Sequence, residues 1–309
     1  MISEFSLLKK IRAQVPSGLR EKGGLRDDAA ILPDEQGALL LTTDVLVEGV
    51  DFLRKTSPER VGQKALAVNL SDIAAMGGVP HSFTVALGIP ARMSAGWFVR
   101  FYRGLLKWAR HFEVVCAGGD ITEAKELFIS LTVLGRAGAG GAVRRNGARP
   151  GDWIGVTGRL GGSILRHHLI FRPRVHEGQY LARAGASSMI DISDGFLQDL
   201  GHLLEESRAG AQLEISALPV SADAFKKAHG SRRKALEHAL SDGEDFELVF
   251  TLPPQKAAAL TRAWPKHFPR VGLSWVGRVS DEVSRIRWFQ RGDACAAPRL
   301  KKKGFRHFT

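Results

Sequence analysis

The run Asn69-Leu70-Ser71-Asp72-Ile73-Ala74-Ala75-Met76-Gly77-Gly78 sets one carboxylate inside an otherwise apolar helical pattern. An ordinary core helix has no reason to carry Asp72 there, because an ionised carboxylate taken out of water without a partner is strongly disfavoured. The chain must therefore fold so that Asp72 meets a partner, and a metal ion is a good one. Asn69 lies three residues earlier on the same helix face, so both side chains can point at one ion. Three more aspartates follow apolar, strand-like segments: Asp44 after residues 38–43, Asp120 after 114–119 and Asp191 after 188–190. Carboxylates at strand ends can converge on one site.

Strand-like segments near 38–43, 82–88, 113–117 and 127–134 alternate with helical patterns near 58–76 and 94–111, where Trp97, Phe101, Leu105, Trp108 and Phe112 recur at helical spacing. That alternation predicts an α/β half. Residues 138–152 are rich in turn formers and make the best linker, which puts a boundary near 148 and two domains at 1–148 and 149–309. The second half resumes with a strand at 153–157, then a helix near 161–170, a strand at 187–192, a helix near 195–207, a strand at 211–215 and apolar segments at 246–251 and 271–279. A length of 309 residues suits two such domains, and 44% hydrophobic with 25% charged residues is ordinary for a soluble protein.

The first eleven residues read as a short amphipathic helix rather than a leader, and no apolar run approaches the roughly 18–20 residues that cross a bilayer. Cys116 and Cys295 are the only cysteines, without CxxC spacing, so a disulfide framework and a cysteine zinc site are both unsupported and a cytoplasmic location is expected. The net charge of +12 favours anionic partners. Basic clusters at Arg144-Arg145, Lys226-Lys227, Arg232-Arg233-Lys234 and Lys301-Lys302-Lys303 would suit nucleic acid, but no helix-turn-helix, zinc-finger or RNA-recognition signature accompanies them. A solvated basic surface is the better reading of these clusters.

Asp27 and Asp28, Asp44, Asp72, Asp120, Asp191 and Asp194 form an oxygen-only donor set. Such donors suit Mg²⁺, which shares its coordination with substrate phosphates, and carboxylates gathered without cations would repel one another. The blander reading is that individual aspartates cap helices, as Asp194 before Gly195-Phe196-Leu197 would. Gly118-Gly119-Asp120 closes a strand, and Gly158-Arg159-Leu160-Gly161-Gly162-Ser163 follows another; such turns let backbone N–H groups approach phosphates. GxxxxGK[ST], a Rossmann GxGxxG with its acidic residue, the kinase HRD and DFG signatures and GxSxG are all absent.

In order along the chain, Asp27-Asp28-Ala29-Ala30, Thr42-Thr43-Asp44, Val47-Glu48-Gly49, Asn69 to Gly77, Gly118-Gly119-Asp120, Pro150-Gly151-Asp152-Trp153, Asp191 to Gly195, Gly243-Glu244-Asp245-Phe246-Glu247-Leu248 and Gly304-Phe305-Arg306-His307-Phe308 resemble the thiamine-monophosphate kinase family. That family belongs to the superfamily of aminoimidazole ribonucleotide synthetase, selenophosphate synthetase and the hydrogenase-maturation dehydratase. The resemblance implies an α/β (α+β) fold of two PurM-like domains, the N-terminal one pairing its sheet across a homodimer. It implies direct transfer of the ATP γ-phosphoryl group to thiamine monophosphate, with several Mg²⁺ ions. Asp28, Thr42, Thr43, Asp44, Asp72, Asp120, Asp191 and Asp194 would hold or border metals, with Asp44, Asp72 and Asp120 central to catalysis. Tyr102, Gly119, Arg144 and Ser193 would contact ATP, and Asp51, Glu244 and Phe305 would face the thiamine end. The alternative within the superfamily is action on another phosphorylated metabolite.

Two positions depart from the family pattern. Arg26 stands where a glycine usually precedes the aspartate pair, and Asp51 stands where Val-Glu-Gly-x-His-Phe would place a substrate-contacting histidine. A carboxylate there could contact the thiazolium or aminopyrimidine ring, but beside an anionic phosphate it is repulsive, so weaker binding of thiamine monophosphate is expected while ATP and Mg²⁺ binding is kept.

Overall fold

The computed structural model describes residues 26–35 and 37–300, with isolated positions 7, 10, 11, 13–15, 302, 304 and 305. Most of the expected N-terminal helix and Arg306-His307-Phe308 lie outside the described residues.

Strands β1 (Ala30–Asp34), β2 (Gly37–Val47), β3 (Gly78–Ile89), β4 (Val115–Glu123) and β5 (Phe128–Ala137) form the first sheet in the order β1-β2-β5-β3-β4. Helices α1 (Pro58–Ala75) and α2 (Ala95–His111) make its crossovers, and α2 joins β3 to the parallel β4. Strand alternation sorts β2 into two faces. Leu40, Thr42 and Leu46 turn inward, while Leu41, Thr43 and Val45 turn outward. The inner face packs with Phe83, Val85, Ile129, Leu131 and Val133 into the core that α1 fills.

Helix α1 starts where Ser57 Oγ accepts the Arg60 N–H and Pro58 takes the first turn, and the chain leaves it through Gly77 at φ +66. From Lys64 to Ala75 every residue but Asp72 is buried, which the mostly apolar second half of the helix requires. Helix α2 crosses it at backbone contact distance. A Cβ on Gly62 would lie 2.0 Å from Phe101 O, and one on Gly104 would lie 1.9 Å from Glu59 O.

The second sheet runs β12-β11-β8-β10-β6-β9-β7, with β6 (Trp153–Thr157), β7 (Ser188–Asp191), β8 (Gly210–Glu214), β9 (Leu248–Leu252), β10 (Leu273–Ser280), β11 (Ile286–Gln290) and β12 (Asp293–Cys295). Only β11 and β8 pair in parallel. Helices α4 (Phe196–Ser207) and α6 (Arg232–Ser241) contribute Phe196, Leu200, Leu203 and Leu240 to the core on one face. Helices α3 (Val175–Ala184) and α7 (Pro254–His267) extend the first core along the other, through Leu181, Phe250 and Trp264. A short α5 (Ala222–Lys227) completes the helices among the described residues. The boundary expected near 148 falls between the last strand of one sheet, ending at Ala137, and the first of the other, starting at Trp153.

Several expectations are corrected. The helix near 161–170 is two short 3₁₀ turns, Ser163–Leu165 and His167–Leu169, which leave Ile164 and Leu165 exposed. Asp44 and Gly118-Gly119-Asp120 lie inside strands rather than at their ends.

Among the described residues, nothing covers the outer face of the first sheet. Leu41, Val45 and Val79 are exposed there, and edge strand β4 is exposed at every residue, Ile121 to 66%. No described helix is long and apolar enough to cross a membrane.

Candidate active site

Three carboxylates meet where α1, the end of β7 and the segment before β1 come together. Oxygens of Asp28, Asp72 and Asp191 lie within 4.8 Å of one another. Thr42 Oγ1, on the inner face of β2, donates a very short hydrogen bond to Asp72 Oδ2, and Ser71 Oγ donates to Asp191 Oδ2 at 2.6 Å. Burial pushes Asp72 well above the ordinary carboxylate range, and the neighbouring charges of Asp44, Asp191 and Asp28 add to the effect. Asp44 is pushed up to about 6 by burial, then by Asp51 and Asp28, and Asp191 up to about 8 by burial and Asp28. Asp44 thus belongs electrostatically to the same group. The buried Asn69 donates to Ala65 O at 3.1 Å, while its Oδ1 has no partner. An all-oxygen cluster of converging carboxylates, with an orphaned amide oxygen three residues away along α1, fits a hard divalent ion.

Arg145, which no motif in the sequence singles out, closes this cluster. Its guanidinium grips Asp28 in a bidentate pair, 2.7 Å from Nη2 and 3.2 Å from Nε, and the Arg145 backbone N–H donates to Asp27 Oδ1 at 2.9 Å. Arg144, expected to grip phosphate, is exposed beside it. A double arginine after a turn-rich segment is the only signal, and spacing alone does not say which of the two turns inward. Arg26 is 70% exposed in its side chain and pairs with Glu206 at 3.3 Å, so it leaves the carboxylates clear.

Of the four acids between 242 and 247, three are tied inside the second half. Asp242 accepts from Gly162 N and Lys227, Asp245 from Gly161 N and Ser163 Oγ, and Glu247 from Arg174 and Thr157 Oγ1. The glycine turn 158–163 therefore spends the amides of Gly161 and Gly162 on carboxylates rather than offering them to phosphate. Glu244 alone crosses to the first half, where it pairs with Lys64. Its backbone is left-handed at φ +64, and its N–H donates to Ser193 O at 2.6 Å. Asp51 Oδ2 accepts the Val47 N–H at 2.8 Å, so this carboxylate also closes its own turn.

The remaining expected residues are dispersed. Asp194 accepts from Gln198 Nε2 at 2.8 Å and falls in a separate group with Asp199 and His202, and its carbonyl accepts the Phe305 N–H at 2.9 Å. Thr43 lies on the outer face, donating to Leu131 O at 3.0 Å. Asp44, Leu131, Val85 and Gly119 form one transverse row across the sheet. Three strand spacings, about 14 Å, therefore separate β4 from Asp44. Asp120 sits in the next row with Ala86, Ser130 and Val45, on the outer face. Tyr102, on α2, is partly buried and close enough to Cys116 of β4 to have its hydroxyl pKa raised, chiefly by burial.

The family model of AIR synthase related protein, N-terminal domain, matches residues 26–137. The thiamine-monophosphate kinase of Rhodopirellula baltica is 40% identical over 289 residues, which span 89% of this chain and 90% of that protein. That of Escherichia coli K12 is 36% identical over 330 residues, spanning 99% and 98%. The structure of AaThiL complexed with AMPPCP and TMP is 30% identical, covers 99% of this chain and 97% of that one, and superposes with a TM-score of 0.83. The family-model match, with a buried helix that brings Asp72 to carboxylates from both halves of the chain, puts the protein in the class related to AIR synthase. Within that class, the chain belongs to the thiamine-monophosphate kinase family.

Proposed function

We propose that this protein transfers the γ-phosphoryl group of ATP to the phosphate of thiamine monophosphate, giving thiamine diphosphate and ADP. The observation that carries the reading is the convergence of Asp28, Asp72 and Asp191, with Asp44 beside them, in a chain of this family. Phosphoryl transfer between two phosphates asks a protein for positioning and charge neutralisation, not for a nucleophilic side chain. Mg²⁺ at this cluster would neutralise the negative charge of the transferring phosphates. Asp28, Asp44, Asp72 and Asp191 would hold it, Thr42 and Ser71 fix the oxygens of Asp72 and Asp191, and Arg145 fixes Asp28. Arg144, next to Arg145, and Ser193, two residues after Asp191, are the proposed nucleotide contacts. Glu244, Asp51 and Phe305 are proposed to face the thiamine end. The +12 net charge suits anionic substrates, and the basic clusters are partly consumed within the protein: Arg145 pairs with Asp28, Lys227 with Asp242 and Arg233 with Glu237. Two free cysteines and no described membrane-crossing helix support a cytoplasmic location. The test is incubation with ATP, Mg²⁺ and thiamine monophosphate, with ADP and thiamine diphosphate followed by chromatography; ADP without thiamine diphosphate would redirect the search to another acceptor.

Asp51 tunes this activity in our reading. Replacing Asp51 with His is expected to lower the KM for thiamine monophosphate severalfold by removing a negative charge near the substrate phosphate. An unchanged KM would show that the carboxylate serves only the turn at Val47.

The bare sheet face is proposed to pair with a second copy, since an exposed apolar sheet of this extent marks an interaction surface. Tyr102, Gly119 and Asp120 would then act on the nucleotide across the interface, which explains why Asp120 lies about 14 Å from its expected partner Asp44 within one protomer. Mixing Asp72→Asn and Asp120→Asn proteins, each inactive alone, is expected to restore activity on subunit exchange. No restoration, or a monomer by sedimentation, would reject the shared site.

A further inference from the structure

Lys64 is the only lysine or arginine among the described residues that is fully buried, at 1% exposure. It sits on α1, two turns before Asp72, and its ammonium group has two partners from different parts of the chain. One is Glu244 Oε1, in a very short ion pair; the other is the Asp51 carbonyl, at 2.7 Å. Burying an ammonium is costly, and an ion pair of this kind adds little net stability over a well-packed apolar side chain. The surrounding helix is apolar and would accept leucine or methionine, so packing does not account for a lysine. Its partner is equally unusual. Glu244 stands in the left-handed region, a conformation that strains a residue with a Cβ, and it remains 29% exposed in its side chain. Asp242, Asp245 and Glu247 are each consumed by partners within the second half, so Lys64–Glu244 is the charged link that joins this loop to the first half.

We infer that Lys64 is a positioning residue for the thiamine end of the site: it holds Glu244 in the orientation that meets the substrate and pins the 47–52 turn against it. The inference rests on the proposal that Glu244 faces thiamine monophosphate. One ammonium group thereby sets the spacing between the two loops that flank the substrate. The nucleotide end, built on Asp28, Asp72, Asp191 and Arg145, does not depend on it.

The test compares steady-state kinetics of the native protein, Lys64→Met, Glu244→Gln and the double variant, with each substrate varied at saturation of the other. Lys64→Met is expected to raise the KM for thiamine monophosphate at least tenfold and to leave the KM for ATP within twofold. Because Lys64 acts through Glu244, the double variant is expected to be no worse than Glu244→Gln alone. Effects that multiply, or equal rises in both KM values, would overturn the inference. If Lys64→Met does not fold, Lys64→Gln, which keeps a donor for the Asp51 carbonyl and loses the charge, carries the same comparison. Should Glu244→Gln itself leave the KM for thiamine monophosphate unchanged in an active kinase, the placement of Glu244 at the substrate fails, and with it the role of Lys64.

Discussion

Replacing Asp72 with Asn is expected to cut thiamine diphosphate formation by on the order of a hundred- to a thousandfold while leaving the folded protein at least as stable without metal. The two halves of this expectation come from the same geometry. Asp72 lies within 4.8 Å of Asp28 and Asp191 and accepts from Thr42, so it is central to the charge that would hold Mg²⁺. Asparagine keeps the shape and an oxygen that can accept from Thr42, but it removes the charge and so weakens metal binding at the position where phosphate charge must be neutralised. In the metal-free protein that same charge is a burden. Burial drives Asp72 well above its ordinary range, so a neutral amide there relieves repulsion with Asp44, Asp191 and Asp28. Product chromatography measures the first half and thermal melting in the presence of a chelator the second. Retained activity would remove Asp72 from the metal site, and a large fall in melting temperature would make it a structural residue.

How far the sequence reveals this site depends on the kind of residue. Asp72 was legible because a carboxylate in an apolar helix violates a strong local rule, and rule violations are where function concentrates. The helices at 58–75 and 95–111 and most strands were legible from periodicity. Arg145 was not, because which of two adjacent arginines turns inward depends on the Arg145–Gly147 turn, which no periodic pattern encodes. The dispersal of Thr43 and Asp120 was hidden for a different reason. A one-residue step along a strand reverses the face of the sheet, and strand order decides how far apart two aspartates lie. Thr42 and Thr43 read alike in sequence, yet one touches Asp72 and the other the far face. The glycine turn at 158–163 misled through its glycines, since what consumes its amides are Asp242 and Asp245, some eighty residues away. Among the four acids near 244, only tertiary partners separate the one that crosses between the halves from those that stay within one.

The carboxylate cluster also ties stability to pH and metal, in a direction opposite to the usual salt-bridged aspartate. Asp44 at about 6 and Asp191 at about 8 lie above the ordinary aspartate value of 3.8. Folded, metal-free protein therefore retains protons that the unfolded chain has lost, and its stability falls as pH rises from about 4 through about 8. Divalent metal held at the cluster would bind the deprotonated carboxylates, displacing those protons and cancelling the loss. Between pH 6 and pH 8.5 the chelated protein is expected to lose on the order of a few kcal/mol, or roughly 5–10 °C in melting temperature for a chain of this size. Saturating Mg²⁺ is expected to raise the melting temperature more at pH 8.5 than at pH 6. Part of the pH dependence will persist with Mg²⁺, because Asp245, also pushed up to about 8 by burial, accepts from Ser163 and Gly161 outside the cluster. Glu214 does not complicate the window: its carboxyl is held down at about 2, so its contribution is constant above pH 6. Replacing Asp191 with Asn separates the two sources, since it should flatten the chelated profile and shrink the Mg²⁺ effect together. A melting temperature in chelator that rises from pH 6 to pH 8.5, or a Mg²⁺ shift independent of pH, would mean that these carboxylates are already ionised and paired without metal.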